Sequence, residues 1–409
     1  MYVSSKIRSI SESVTLKLNA KANQLTESGK KIFNLTAGQL PLRPDPQFVE
    51  KIKNELESVK SFQYSPVSGF LELRRKLTTH MEQKRGISFT GLKEKFDCVV
   101  SNGGKHCLIN ILGVLIEPGD EILLLGPYWI SYPEMIKFYD GIPVSVMSTL
   151  ETAYQPSIAE IKRKISSKTR AIILNSPNNP TGCHYSKAWM DEFAELMRQN
   201  PEIIIISDEI YDELVYNGET PNYYYQGRND LLERSILVDS ISKTLAGPGL
   251  RIGYCIGPAN VMSAISKLQG QATSGANSLV QRALVHYDFS RITTFLAPIK
   301  NRLKENSQVV KNKLEIHGLS KLWYEPTSAF YYMIDFTHAP VLQRYKKNMH
   351  DDTDYAEAIC EELLEKQGVA IVPGGDFGIS NGARISMVSE TEEFSEALEK
   401  LSRFLAGQK

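Results

Sequence analysis

No stretch of this 409-residue chain approaches the ~18 consecutive apolar residues that a membrane span requires. The first twenty residues carry no apolar core of the kind a secretory leader has, so none is expected. An excess of either charge is missing too. Lysine plus arginine and aspartate plus glutamate both number 47, so no net field draws the whole molecule to nucleic acid or an acidic membrane. Cysteine is scarce and scattered. Cys98, Cys107, Cys183, Cys255 and Cys360 are odd in number and lack CxxC spacing, so neither a disulfide framework nor a zinc site is expected. The seven histidines never pair at ligand spacing, and no metal is expected. A reducing cytoplasm fits these absences. The single sequon, Asn34-Leu35-Thr36, reads as chance in that setting. Internal repeats, low-complexity tracts and a GxxxxGK[ST] phosphate loop are absent as well.

What is present is an ordinary globular composition, 42% hydrophobic and 23% charged, in a chain long enough for about two to three domains. From residue 96 short apolar, β-rich runs alternate with helical patterns. The runs are residues 96–100, 121–125, 142–147, 171–175, 203–207, 236–239 and 252–256. Several are apolar on both faces, as strands buried between two helical layers are. Helical patterns at 104–115, 157–165 and 187–198 fall between them. This predicts a three-layer α/β/α large domain with a mostly parallel, mixed sheet over residues 46–290. Charged helical patterns at 294–315 and 354–366 flank runs at 329–335, 369–372 and 383–388. They predict a smaller α+β domain built from both termini, residues 1–45 and 291–409.

Polar sequences recur where the strands end, which is where open α/β sheets gather ligands. They are Ser101-Asn102-Gly103-Gly104-Lys105, Gly126-Pro127-Tyr128-Trp129 and Asn175-Ser176-Pro177-Asn178-Asn179-Pro180-Thr181-Gly182. Ser207-Asp208-Glu209-Ile210-Tyr211 and Asp239-Ser240-Ile241-Ser242-Lys243 complete the set. Together they predict one shared crevice.

Lys243, taken alone, reads better as an exposed loop lysine. At the end of a buried strand, desolvation and a cationic neighbour such as Arg251 would lower its pKa, as an amine that forms a Schiff base requires. Asp208 alone could be a turn carboxylate. Burial after residues 203–206 makes it costly without a cation partner. Gly103-Gly104 at a strand-to-helix junction offers backbone N–H groups to an anion. Trp129 is either core or a flat surface for an aromatic cofactor. Arg384, in a strand-like stretch, requires either a substrate carboxylate or an internal ion pair. The stretch from Gly247 to Gly253 only superficially resembles a dinucleotide fingerprint, because it precedes a strand instead of opening a helix.

These motifs, in this order and spacing, resemble the fold type I, class I aminotransferases, and most closely the aspartate aminotransferase branch with a Gly-Gly-Lys phosphate turn. The resemblance runs from Asn19-Ala20-Lys21-Ala22 to Arg384-Ile385-Ser386, nearly the whole chain. It implies pyridoxal 5'-phosphate bound covalently to Lys243, with Asp208 on the pyridinium nitrogen and Tyr211 and Asn179 on the ring oxygen. It implies a phosphate cradle of Gly104, Ser240, Ser242 and Arg251, cofactor contacts from Gly103 and Lys105 as well, and a Trp129 stacked on the ring. Tyr64, in Tyr64-Ser65-Pro66-Val67-Ser68-Gly69, would reach the phosphate of a neighbouring subunit, which implies a homodimer with shared active sites. Gly38, Lys105, Trp129, Asn179 and Arg384 would contact substrate.

The implied reaction moves an amino group between an L-amino acid and a 2-oxo acid by a ping-pong course, with Lys243 as base and then acid. Lys105 occupies the position that the branch associates with a distal carboxylate, which points to aspartate and glutamate. Two departures stand out: Gly38-Gln39-Leu40-Pro41-Leu42 replaces the usual Gly-Glu-Pro-Asp loop, and Ser328 stands where glycine is common. Residues 338–354, charged and without a clear period, resemble an insertion. Alternatives on the same fold are an aminotransferase for aromatic or neutral amino acids and a carbon–sulfur β-lyase. A regulator with an aminotransferase-like sensor is the non-enzymatic alternative, but it would need an N-terminal DNA-binding domain for which the pattern leaves no room.

Overall fold

A computed structural model describes residues 2–8, 14–218, 220–346 and 353–408. Its strands are β1 (Phe33–Asn34), β2 (Phe96–Ser101), β3 (Glu121–Gly126), β4 (Ile142–Met147), β5 (Thr169–Asn175) and β6 (Ile204–Asp208). They continue with β7 (Ser235–Ser240), β8 (Gly253–Pro258), β9 (Tyr331–Asp335), β10 (Val369–Ala370), β11 (Val372–Pro373) and β12 (Gly382–Ser386). The seven-stranded sheet has the order β2-β8-β7-β6-β5-β3-β4. Only β8 runs against the rest, pairing antiparallel with β2 and β7. The expected mixed, mostly parallel sheet is therefore present.

The apolar character of both strand faces has a direct structural reason. Ile122 and Leu124 of β3, with Ala171 and Ile173 of β5, face a core shared with the helices Gly104–Leu115 and Ala259–Ala272. Their neighbours Leu123, Leu125, Ile172 and Leu174 face the opposite core, with Phe193 of the helix Lys187–Arg198 and Leu77 of the helix Leu71–Arg85. Successive residues of a strand point to opposite faces, so a sheet covered by helices on both sides must be apolar at every position. The covering helices start on local signals. Ser186 accepts the amide of Trp189, and Ser157 accepts that of Glu160, each satisfying a donor left free in the first turn.

The smaller α+β part takes its strands from both ends of the chain. Strands β11, β12 and β9 form an antiparallel sheet, and β1 pairs parallel with β10. The run at 369–372 thus splits. Its first half serves one sheet and its second half the other, with Ile371 between them. A run of four apolar residues carries no period that could announce this. The helix Thr391–Leu405 buries Phe394, Ala397, Leu398, Leu401 and Leu405, an i, i+3, i+4, i+7 stripe laid on the helix Ile292–Ile316. Within residues 338–354 a short helix, Pro340–Tyr345, forms, and Asp354 caps the amide of Ala356; residues 347–352 lie outside the described residues.

Candidate active site

The carboxyl ends of β2, β3, β5, β6 and β7 lie along one edge of the sheet. Because β8 runs the other way, the residues that enter it join them. A cavity of about 430 Å³ opens at that edge. Gly38, Gly104, Lys105, Trp129, Asn179, Asp208, Tyr211, Ser242, Lys243, Arg251 and Arg384 all line it. Residues up to 346 positions apart therefore meet at one site, as the strand-end motifs predicted.

Lys243 arrives on a single helical turn, Ile241–Thr244, begun by Ser240, whose hydroxyl accepts the amide of Ser242. Its Nζ donates to the carbonyl of Gly38 at 2.5 Å and sits over the rings of Tyr211 and Phe330, at 5.7 and 5.3 Å. Burial, and next the guanidiniums of Arg384 and Arg251, bring its ammonium down to about 8 against the pull of Asp208. Neutral amine is thus far more accessible near neutral pH than for an ordinary lysine.

Asp208 ends β6, buried. Burial pushes its carboxyl up to about 6, although the hydroxyl of Tyr132 donates to Oδ2 at 2.6 Å. A buried carboxyl in this state gains from a cation placed against it. Asn175, opposite in β5, donates to the backbone carbonyl of Asp208 at 2.9 Å, and its own carbonyl receives the amide of Asn179 at 3.0 Å.

Asn179 connects two groups. Its Nδ2 donates to the hydroxyl of Tyr211 at 3.5 Å, and its Oδ1 accepts from Nη1 of Arg384 at 3.1 Å. Arg384, in β12, is 3% exposed, and its Nη2 donates to the carbonyl of Thr36 at 3.2 Å. Its Cζ lies 4.4 Å from the ring centroid of Tyr331 and 4.9 Å from that of Phe377. No carboxylate pairs with it among the described residues, so the internal ion pair considered for it is not formed, and its Nε has no hydrogen-bond partner. Lys105 lies over the Trp129 ring at 4.8 Å, with its ammonium lowered by burial and then by Arg251.

Three predicted residues stand apart from the cavity. Gly103 lies just behind it, with φ +91°, a conformation that favours glycine, and a Cβ there would meet Nη2 of Arg251 at 2.7 Å. Ser240 is 1% exposed, and its hydroxyl is engaged with Ser242 and the carbonyl of Ile252. Tyr64 is 91% exposed and borders a separate groove with Asn102 and Thr273. The stretch before β8 forms a short 3-10 turn, Pro248–Leu250, not the start of a long helix, in keeping with rejection of the dinucleotide motif.

The sequence reading missed Tyr132, Asn175 and Tyr331 as site residues. Asn175 was visible as the last residue of its strand. Tyr132 and Tyr331 carry no local signal, because their partners Asp208 and Tyr211 are 76 and 120 residues away.

The family described as aminotransferase class I and II matches residues 30–401. An aspartate/prephenate aminotransferase of Thermus thermophilus is 31% identical over 407 residues, covering 98% of each chain. An aspartate aminotransferase of Bacillus subtilis is 28% identical over 99% of each. Among solved structures, the Thermus thermophilus aspartate aminotransferase with maleate superposes with a TM-score of 0.87 at 30% identity, over 99% of this chain and 100% of that one. The chain belongs to the class I and II aminotransferase family and is a transaminase.

Proposed function

We propose that the protein uses pyridoxal 5'-phosphate to move an amino group between an acidic L-amino acid, aspartate or glutamate, and a 2-oxo acid. The observation that carries this reading is the charge of the cavity: Lys105, Lys243, Arg251 and Arg384 line it, and Asp208 is the one acidic residue among the described lining residues. Such a lining suits a ligand set with several anionic groups.

The donor set fits the cofactor. The helix Gly104–Leu115 has no side-chain cap, so its first amides remain for a phosphate, beside Arg251 and Ser242. Asp208, raised by burial, would be relieved by a protonated ring nitrogen. Trp129 offers a flat face, and Tyr211 with Asn179 offers donors on one wall. When bound, the cofactor supplies an electron sink and a temporary carrier for the amino group.

This chain's own side chains do the rest. Lys243 Nζ, with its ammonium brought down to about 8, holds the cofactor and, once free, takes up the substrate's Cα proton and gives it back. Arg384 receives the α-carboxylate on its unpartnered Nε and adjoining Nη, oriented by Asn179 and the Tyr331 ring. The carbonyl of Gly38 holds the lysine until ligand enters. Lys105 would take the distal carboxylate. The dicarboxylate maleate in the Thermus thermophilus structure supports that choice. The exposed Tyr64 supports a homodimer in which this side chain serves the neighbouring site. A division into a large unit of residues 46–290 and a small unit of 1–45 and 291–409 is part of this reading, supported by the seven-stranded sheet falling within the first range and the two- and three-stranded sheets within the second. The five free, buried cysteines fit the cytoplasm, and no described helix is long and apolar enough to cross a membrane.

The test is spectroscopic. The protein, loaded with pyridoxal phosphate, is titrated with L-aspartate, L-phenylalanine and L-alanine while its visible absorption is recorded. Conversion by aspartate alone, reversed by 2-oxoglutarate, supports the proposal. Conversion by phenylalanine or alanine instead keeps the transaminase and overturns the acidic substrate. Failure to form any cofactor band overturns the role of Lys243.

A further inference from the structure

Behind the cavity wall lies a second cluster of charges that touches no substrate-accessible surface. Arg85 is the last residue of the helix Leu71–Arg85, and its side chain is 2% exposed. Its Nε and Nη2 both reach Oε2 of Glu209 at 2.8 Å, and Nη2 also pairs with Asp212. Glu209 is otherwise saturated: Ser207 and Tyr225 donate to its Oε1 at 2.7 and 2.8 Å. Lys84 adds a second cation to Asp212 at 2.8 Å, and the guanidinium of Arg85 lies 4.4 Å from the Tyr223 ring. Asp239, whose backbone precedes Ser240, belongs to the same buried group and accepts from Tyr254 at 3.1 Å.

The sequence order gives this cluster its meaning. Asp208 and Tyr211 face the cavity, and Glu209 and Asp212, their direct successors, face Arg85. A single guanidinium therefore grips the same short segment twice, from the side opposite the ligands. A planar guanidinium that hydrogen-bonds Glu209 through Nε and ion-pairs Asp212 through Nη2 holds the segment at two points, which a point charge on a flexible stem does not reproduce. Burial of so many charges is unfavourable unless all are paired, so the arrangement tolerates little displacement.

We propose that Arg85 is a positioning residue: through Glu209 and Asp212 it sets the orientation of residues 208–212, and so the aim of Asp208 and Tyr211 at the cofactor. The inference rests on the cofactor reading above. Arg85 acts through the segment and touches neither cofactor nor substrate.

The experiment compares wild type with Arg85→Lys and Arg85→Met, each loaded with pyridoxal phosphate. Three quantities are read: the apparent pKa of the cofactor's visible band, kcat against KM for the amino acid, and the melting temperature. Arg85→Lys keeps the charge and loses the fork, so it remains informative if Arg85→Met does not fold. In Arg85→Lys we expect the band's pKa to move by about one unit and kcat to fall roughly tenfold or more, while KM stays within about twofold. Variants with wild-type band pKa and wild-type kcat per bound cofactor, however much their melting temperature drops, overturn the proposal. A wild type that forms no band overturns the cofactor reading instead, so the two failures are distinguishable.

Discussion

Arg384 and Asn179, 205 residues apart, are joined by a hydrogen bond of 3.1 Å from a guanidinium nitrogen to an amide oxygen. The arginine stands on the small antiparallel sheet and the asparagine on the loop after β5 of the large one. One bond thus ties the two sheet systems where a substrate carboxylate would enter. The same amide passes on to Tyr211, so the groups proposed for carboxylate and for cofactor are joined through one side chain.

Replacing Arg384 with lysine removes the planar fork and keeps the charge. KM for the amino acid should rise by roughly a hundredfold, about 3 kcal/mol, with a smaller change in kcat. Steady-state kinetics with aspartate check this, and an unchanged KM would place the carboxylate elsewhere.

Lys105→Ala tests the distal carboxylate. The value of kcat/KM for aspartate should fall about 10- to 100-fold, and that for alanine should hardly move. Equal losses on both substrates would mean that Lys105 serves the cofactor and not substrate choice.

Tyr132→Phe deletes the hydroxyl that holds the carboxyl of Asp208 down. With that donor gone, the carboxyl rises above about 6 in the cofactor-free protein, and its ionised form loses a hydrogen bond worth about 1–3 kcal/mol. Cofactor affinity should weaken by roughly tenfold or more, measured by fluorescence titration. Wild-type affinity would show that the pairing at Asp208 contributes little.

The reactivity of Lys243 should follow pH with a midpoint near 8 in cofactor-free protein. Because burial and two guanidiniums disfavour the ammonium, the folded state prefers the neutral amine. The resulting stability penalty is fully present below about 8 and fades as pH rises toward the ordinary lysine value of 10.5. Arg384→Leu removes one of those cations and should move the midpoint upward. Labelling rates at Lys243, read by peptide mass, decide it; a wild-type midpoint at the ordinary lysine value would contradict the geometry.

The reach of the sequence is clear in particular residues. Gly104, Asn179, Asp208, Lys243 and Arg251 each sit within a few residues of a strand end, and strand ends are readable because fully apolar runs stop there. One direction shared by six of the seven strands then brings all these ends together. Arg384 was readable because a lone arginine inside an apolar strand requires an anion. The N-cap serines and the apolar stripe of the helix Thr391–Leu405 were likewise local.

What the tertiary structure alone decided are pairings between distant positions. Tyr132 under Asp208, Tyr331 against Arg384 and the grip of Arg85 on Glu209 and Asp212 leave no periodic or motif trace, since each side chain looks ordinary in its own segment. The split of residues 369–372 between two sheets is of the same kind. A pattern of apolar residues encodes which face is buried, because solvent exclusion acts on each residue separately. It does not encode which partner a polar side chain meets, because that depends on how whole elements come to lie in three dimensions.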